Sequence, residues 1–311
     1  MKIFTAETQS RMSTSEFTLQ RSSISLDGAK RSQRSPRERR AWVVFYGKIL
    51  MCGLFSLFFC VSCQKKRKPN ILSGEAMGTS WKLAWRGDEV SGLDKEVLEL
   101  LEKWESVLSQ WRENSDLSRA NRGEAITPDL QRVMDLAEVI HQQSSGAFDY
   151  RLLKQTSDAG FGPKGNGMDL SAIAKGFAVD RVGDRLRELG ITDFVFELGG
   201  EILVGDGEWE VGIEAPDPAT QKIARTMKLR DRAVATSGNY RQFKPASGGL
   251  ASHIIDPKTG TPIIRPPSLV TVYAKDCATA DAWATALFVL GPDFKVPEGI
   301  EVQWQKRNRD F

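Results

Sequence analysis

Residues 168–180 combine the side chains of a ligand site with the spacing of a helix. Apolar residues recur at three- and four-residue steps, which predicts an amphipathic helix with one buried face. Asp169 lies near its start, where a carboxylate either caps a backbone N–H or anchors a ligand near the positive end of the helix dipole. Lys175 precedes Gly176, which permits close approach. A lysine there suits an anion such as phosphate, although a lone lysine is more often solvated.

Two other positions could carry chemistry. Residues 278–288 predict a helix of small residues, with Asp281 and Thr285 four apart and therefore on one side. Such oxygens on a closely packed face need a partner, and a hard cation such as Mg²⁺ accepts a carboxylate, a hydroxyl and backbone oxygens. His253 precedes an Asp-Pro turn, which by itself indicates the end of a hairpin. The other histidine, His141, ends a predicted helix and is expected to be a surface residue or to interact with the helix dipole.

The elements that must position these residues alternate irregularly. Helices are predicted at 93–111 and from Thr127 through Ile140, where Thr127 is a cap followed by proline. Strands are predicted near 79–85, at 194–204 with an interrupting glycine pair, at 209–213, and before a small polar turn within 233–240. No clean βαβ repeat or dinucleotide-binding glycine fingerprint is visible, so the expected fold is mixed α+β. Residues 71–311 are expected to form one unit, which could have two lobes.

Composition restricts the class of protein. A chain of 311 residues with 41% hydrophobic content can bury a substantial core and is not a disordered protein. The net charge of +3 owes much to basic residues before position 41, and the remainder shows no basic face for nucleic acid. Three of the four cysteines lie between 52 and 63, which leaves Cys277 alone in the body without zinc-type spacing.

The N-terminal region has the order of an exported lipoprotein. Residues 1–40 predict a disordered basic arm, and the apolar residues 41–63 predict a signal segment or a membrane helix. The end of this segment resembles a bacterial lipoprotein cleavage box with Cys63 as the lipidated residue, although Cys60 stands where leucine is more usual. An uncleaved anchor or a plain signal peptide are the alternatives. With 64–70 as a tether, we expect attachment to a membrane on the periplasmic, non-cytoplasmic side of a bacterial envelope.

Seven short motifs across residues 71–295 resemble, in order, those of the flavin transferase (ApbE) family. Members of that family move FMN from FAD onto a threonine or serine of a protein. Each motif alone is unspecific, but seven in the family's order are not a chance pattern. The motifs are AMGT at 76–79, SGAFD at 145–149, DL at 169–170 with AKG at 174–176, LGG at 198–200, ATSG at 235–238, HIIDP at 253–257, and Ala280-Asp281 with Thr285.

The resemblance implies FAD as substrate and Mg²⁺ as cofactor, and it assigns residues to each. The implied FAD contacts are Met77, Trp111, Ala147, Phe148, Asp149, Asp169, Lys175, Ser237, Gly238, His253 and Ile254. The implied metal ligands are the backbone oxygen of Ala172 and the side chains of Asp281 and Thr285. His253 would be the general base that takes the proton from the acceptor hydroxyl. Trp111 stands where many members carry a tyrosine; an indole can stack on flavin or adenine but lacks the phenol hydroxyl.

The resemblance thus implies Mg²⁺-dependent transfer of FMN from FAD to an acceptor protein, with release of AMP. Exported members commonly modify flavin-bearing subunits of membrane electron-transport complexes, which makes such a subunit the expected partner. Two alternatives remain open: an FAD pyrophosphatase that uses water as acceptor, and a lipoprotein that binds or scavenges FAD without catalysis. The scavenging lipoprotein would not need Asp281 or His253. The pyrophosphatase would use the same metal and base as the transferase and would differ from it only in the acceptor.

Overall fold

A computed structural model of the chain describes residues 2–3, 68–217, 219 and 222–306. The predicted arm, signal segment and tether therefore lie almost entirely outside the described residues. The helices are α1 Leu93–Leu108, α2 Asp116–Asn121, α3 Pro128–Gln143, α4 Leu153–Asp158, α5 Ser171–Glu188 and α6 Cys277–Leu290. The strands are β1 Lys2–Ile3, β2 Asn70–Ala76, β3 Thr79–Trp85, β4 Phe194–Leu198, β5 Glu201–Val204, β6 Trp209–Glu214, β7 Ile223–Leu229, β8 Arg232–Gly238, β9 Phe243–Ala246, β10 Gly249–Asp256, β11 Thr261–Arg265, β12 Ser268–Ala274 and β13 Glu301–Lys306. Within these residues, none of the helices has the length and apolar character needed to cross a bilayer.

A seven-stranded antiparallel sheet organises the core, in the order β13-β12-β8-β5-β4-β3-β2. Successive side chains of a strand point to opposite faces. Leu83 accordingly joins the core that includes the buried sides of α1, α5 and α6, whereas its neighbour Ala84 joins a second core with β6 and β7. Because both faces are covered, every residue of β12 is buried. This agrees with the largely apolar sequence of that strand, in which Ser268 and Thr271 are buried polar residues.

Two three-stranded sheets complete the described part of the chain. The sheet β11-β10-β9 carries His253 on β10. In the sheet β1-β6-β7, Lys2 and Ile3 pair with Gly212 and Val211. These two residues differ from the unpacked arm expected for 1–40, because the edge of β6 offers free backbone groups that a short segment can pair with.

The mixed α+β fold is confirmed, and so are the helices and the Thr127 cap, whose hydroxyl accepts from Leu130 N at 3.3 Å. The interpretation of 194–204 as one interrupted strand is wrong. β4 and β5 instead form an antiparallel hairpin, with Gly199 and Gly200 at φ 63° and 114° in its two-residue turn. Turns of this length need positive φ, which glycine adopts without strain, so the glycine pair reverses the chain rather than bulging it.

The crossing of α5 and α6 determines how the site residues face one another. A Cβ placed on Gly176 would lie 2.4 Å from the carbonyl oxygen of Cys277, so only glycine allows this approach. One turn further along α5, the buried carboxylate of Asp180 accepts hydrogen bonds from Cys277 N at 2.7 Å and Ala278 N at 2.9 Å. These N–H groups belong to the first turn of α6 and have no partner within the helix. Asp180 therefore fixes the start of α6 against α5.

Candidate active site

A cleft of about 600 Å³ opens where α5 and α6 meet the β2–β3 turn, the end of α1 and strand β10. Its lining includes every residue to which the sequence analysis gives a catalytic, FAD-binding or metal-binding role, with one exception. The lining residues among them are Met77, Trp111, Ala147, Asp149, Asp169, Ala172, Lys175, Ser237, Gly238, His253, Ile254, Asp281 and Thr285. Residues separated by more than 200 positions thus share one cavity.

The exception is Phe148, which does not line the cleft, so its contact with FAD stays a prediction. Its side chain is fully buried in the helix-side core, while its neighbours Ala147 and Asp149 line the cleft. The backbone of Phe148 is bonded on both sides, to Ser144 Oγ at 3.0 Å and to His141 Nδ1 at 2.7 Å. Full burial of a large apolar ring stabilises the fold. The motif therefore uses its phenylalanine as a core anchor.

His253 reaches the cleft through an irregularity of its hairpin. Ala251 pairs with Ile264 and Ile255 with Pro262, so β10 advances four residues while β11 advances two. Such bulges redirect side chains next to active sites. The Nδ1 atom of His253 lies 3.3 Å from the carbonyl oxygen of Gln242. A carbonyl only accepts, so this bond assigns the proton to Nδ1 and leaves the lone pair on Nε2.

The environment of His253 favours its neutral form. Burial lowers the pKa of the imidazole and outweighs the opposite effect of the hydrogen bond with Gln242. The positive charge of Lys175 lowers the pKa further, and Asp169 raises it by a smaller amount. A neutral imidazole with a free Nε2 can accept a proton at neutral pH. The geometry is therefore compatible with the predicted role of His253 as a general base.

Lys175 does not stand alone in the cleft. Its Nζ lies 2.6 Å from Oε2 of Glu201, a carboxylate that is only 4% exposed. Burial alone would lower the pKa of Lys175, but the charges of Glu201 and Asp281 outweigh it and raise the pKa, so the ammonium stays charged. Sequence reasoning missed Glu201. The available signal was a carboxylate directly after a glycine pair, at the start of a strand that is otherwise apolar.

The three predicted metal ligands all line the cleft, two of them from α6 and one from α5. Asp281 is 5% exposed, and its Oδ2 accepts from Gly176 N at 3.1 Å. Burial raises the pKa of this carboxyl, although Lys175 partly opposes the shift. Thr285 Oγ1 lies 3.2 Å from Ser237 Oγ, and Ala172 lines the same cavity. All the donors are oxygens, which suits a hard cation and not zinc.

Side-chain ligands for a metal are few. In the part of the chain that the structure describes, no three His, Cys, Asp or Glu side chains are grouped to hold an ion. Mg²⁺ is commonly held by one or two carboxylates together with water and the phosphates of a substrate, and Asp281 is a carboxylate that lines the cleft. The residues present are therefore compatible with Mg²⁺ bound alongside a pyrophosphate.

The other walls of the cleft combine polar, aromatic and aliphatic residues. Asp169 does not occupy the N-cap of α5, which is Leu170, but its Oδ1 accepts from Ser171 N at 3.0 Å. Met77 adopts φ 51° in the β2–β3 turn, and its N–H donates to Glu105 Oε2 at 3.2 Å. Asp149 is paired with Arg151 at 2.9 Å. Trp111, at 66% exposure, lines the cleft.

Comparison with known proteins gives the family. The model of the ApbE family matches residues 77–167 and 158–302. The chain belongs to the ApbE family. The membership inferred from the seven motifs is confirmed, and the matched region contains all the cleft residues to which a role was given.

Curated relatives in the ApbE family are similar over most of their length. The chain is 32% identical to the FAD:protein FMN transferase of Vibrio cholerae serotype O1, over 78% of this chain and 88% of the relative. It is 28% identical to the FAD:protein FMN transferase of Haemophilus influenzae, over 79% and 88%.

Solved structures of ApbE proteins share the fold. The flavin transferase ApbE from Vibrio cholerae aligns with a TM-score of 0.64 at 30% identity, over 78% of this chain and 95% of that one. The apo form of the Pseudomonas stutzeri flavinyl transferase ApbE aligns with a TM-score of 0.64 at 29% identity, over 73% and 86%. The α+β fold is therefore an ApbE fold.

Proposed function

We propose that this protein transfers FMN from FAD to a threonine or serine hydroxyl of an acceptor protein and releases AMP. The observation that carries the proposal is the single cleft that joins His253, Lys175, Asp281 and Thr285. Membership of the ApbE family and the activity named for its curated relatives support the same reaction. The hydroxyl oxygen would bond to the phosphorus of the FMN half, the bond to the AMP oxygen would break, and the hydroxyl proton would leave to a base.

Three groups of this chain would perform that step. His253 would take the hydroxyl proton at Nε2, because Nδ1 is held by Gln242. Lys175 would bind an oxygen of the pyrophosphate, and Glu201 would hold its ammonium toward the cleft. Phosphoryl transfer depends mainly on orientation and charge neutralisation, which these fixed groups provide.

We propose that Asp281, Thr285 and the backbone oxygen of Ala172 hold Mg²⁺. Oxygen ligands suit this ion. In the buried Asp281, Oδ2 accepts the hydrogen bond from Gly176 N, so Oδ1 is the oxygen that would bind the metal. Bound there, the ion would neutralise charge on the pyrophosphate. Asp180 and Gly176 fix the relative position of α5 and α6, the two helices that carry the proposed metal ligands.

For the location, we propose a lipid anchor at Cys63 on the periplasmic side of a bacterial envelope. The acceptor would be a flavin-bearing subunit of a membrane electron-transport complex. The support is the sequence order of basic residues, apolar segment and small residue before cysteine. Mass spectrometry of the native protein should find a lipidated Cys63 as the first residue. An intact N-terminus in a soluble cytosolic fraction would contradict this.

The activity is tested by incubating the purified protein with FAD, Mg²⁺ and candidate exported flavoprotein subunits. The expected products are AMP and a covalent FMN mass on a threonine or serine of the acceptor. AMP and free FMN without labelled protein, for every acceptor tried, would favour the pyrophosphatase. FAD that binds and stays whole would favour a scavenging protein.

A further inference from the structure

Phe161 is a cleft residue that the proposed reaction does not use. It follows α4 in a glycine-rich segment, lines the cleft and meets the imidazole of His253 edge-to-face, with ring centroids 6.4 Å apart at 66°. Aromatic pairs in this arrangement attract each other beyond their burial. An apolar ring therefore lies directly against the group that would accept the proton.

The position of Phe161 is fixed from two sides. Its N–H donates to Thr156 O at 3.0 Å, which ties it to α4. Lys244 Nζ donates to Ala159 O at 2.5 Å and lies 4.9 Å from the centre of the Phe161 ring. The contact with His253 is thus built into the fold.

Strand β9 links these anchors to the histidine. Lys244 lies on β9 and pairs with Ala251 of β10, two residues before His253. Gln242, whose carbonyl orients His253, immediately precedes the same strand. One short segment therefore holds both the imidazole and the loop that carries Phe161. Their relative position should persist when substrate binds.

We propose that Phe161 excludes water from His253 and so directs FMN to a protein hydroxyl instead of to water. This inference rests on the proposed transfer reaction. With a protein hydroxyl, FAD gives AMP and protein-bound FMN; with water, FAD gives AMP and free FMN. The same phosphorus is attacked, the same bond to AMP breaks and His253 takes the proton in both. Only the nucleophile next to the base differs.

The physical reason is that a benzene ring offers no hydrogen bond to water. A water molecule poised for attack needs polar partners in addition to the base, and the ring of Phe161 removes that side of the site. An acceptor hydroxyl arrives on a folded protein, whose own contacts position it without such partners. Phe161 is therefore a specificity-determining residue and not a catalytic one.

The first test measures the ratio of free FMN to protein-bound FMN in the presence of FAD, Mg²⁺ and acceptor. Apolar contacts in specificity pockets typically discriminate by about 10–200-fold, so Phe161→Ala should raise this ratio at least about tenfold. A ratio does not depend on how much enzyme is folded, because misfolded protein lowers both products together.

Two variants serve as controls in that test. Phe161→Leu keeps an apolar side chain and should restore most of the wild-type ratio. Phe294→Ala removes an aromatic ring that packs near Trp283, does not line the cleft and should leave the ratio unchanged. An unchanged ratio in Phe161→Ala, or an equal rise in Phe294→Ala, would overturn the proposal. A wild-type protein that yields no labelled acceptor would count against the transfer reaction itself.

The second test needs no turnover. The chain has two histidines, His141 and His253, so acylation by diethyl pyrocarbonate can be followed at each by mass spectrometry. Phe161→Ala should speed acylation of His253 several-fold relative to His141, whose ring is bonded to Phe148 O and does not line the cleft. Equal relative rates in wild type and Phe161→Ala would show that Phe161 does not shield the base, even if the variant has lost activity.

Discussion

Replacement of Asp180 by asparagine should change how stability depends on pH. Asp180 is 7% exposed and accepts two backbone N–H groups of α6. Burial raises the pKa of this carboxyl to about 7 from 3.8, although the two hydrogen bonds oppose the shift. A raised pKa in the folded state means that stability is fully present below the unfolded pKa and is lost as pH rises through the folded value.

The magnitude follows from proton linkage. Between pH 6 and pH 8 a carboxyl with a folded pKa of about 7 releases its proton, whereas the unfolded form has already done so. One pKa unit corresponds to about 1.36 kcal/mol, and integrating across this window gives a loss of about 1.4 kcal/mol of unfolding free energy. An asparagine side chain cannot titrate, so the Asp180→Asn variant should lack this loss while keeping the side-chain shape and one acceptor.

Urea denaturation of the metal-free protein at pH 6 and pH 8 measures the effect. Wild type should lose about 1.4 kcal/mol more than Asp180→Asn over this interval. Other groups that titrate there, His253 included, are present in both proteins and cancel in the difference. Asp184→Asn is the matched control, because its carboxylate lies one turn further along α5 and is 48% exposed. Equal pH dependence in wild type and Asp180→Asn would refute the assignment of a protonated, buried Asp180.

Three further outcomes are expected from the cleft. His253→Ala should keep FAD affinity but lose about 10²–10⁴-fold in transfer rate, and His141→Ala is the control. Calorimetry measures the affinity and stopped assays measure the rate. A loss of affinity without a loss of rate would contradict the role of His253 as a base. Asp281→Asn, which retains an acceptor for Gly176 N, should lose Mg²⁺-dependent turnover, and full activity of this variant in chelator would exclude Asp281 as a ligand. Mg²⁺ should tighten FAD binding in wild type and not in Asp281→Asn, as titration calorimetry with and without Mg²⁺ can establish. Equal FAD affinities of wild type with and without Mg²⁺ would show that the metal and FAD bind independently.

The sequence predicts features that follow from helical periodicity, but not those that depend on strand register or on which side chain becomes buried. Asp281 and Thr285 share a helix face by periodicity alone, so their common orientation was accessible from the sequence. The orientation of His253 was not, since two extra residues in β10 against β11 leave no mark in a single sequence. Glu201 was missed because a glycine pair signals a change in backbone direction but not which carboxylate becomes buried. The burial of the Phe148 ring in the core was not predictable, because a motif gives the order of residues and not the side on which each ring lies.

The charges around Lys175 explain why these positions belong together. With both carboxylates ionised, Lys175, Glu201 and Asp281 carry a net charge of −1, and Glu201 already pairs with the ammonium. Such a cluster repels a pyrophosphate. Burial raises the pKa of Asp281, the charge of Lys175 opposes this rise, and the smaller effect of Glu201 adds to it. A divalent cation at Asp281 would reverse the sign and make the cleft attractive to the anion. Binding of cation and pyrophosphate is then reciprocal, because each raises the affinity for the other by the same factor. The buried carboxylates offset the charge of Lys175 and so weaken it as a phosphate ligand. For the same reason, anion binding in the cleft would depend on a metal.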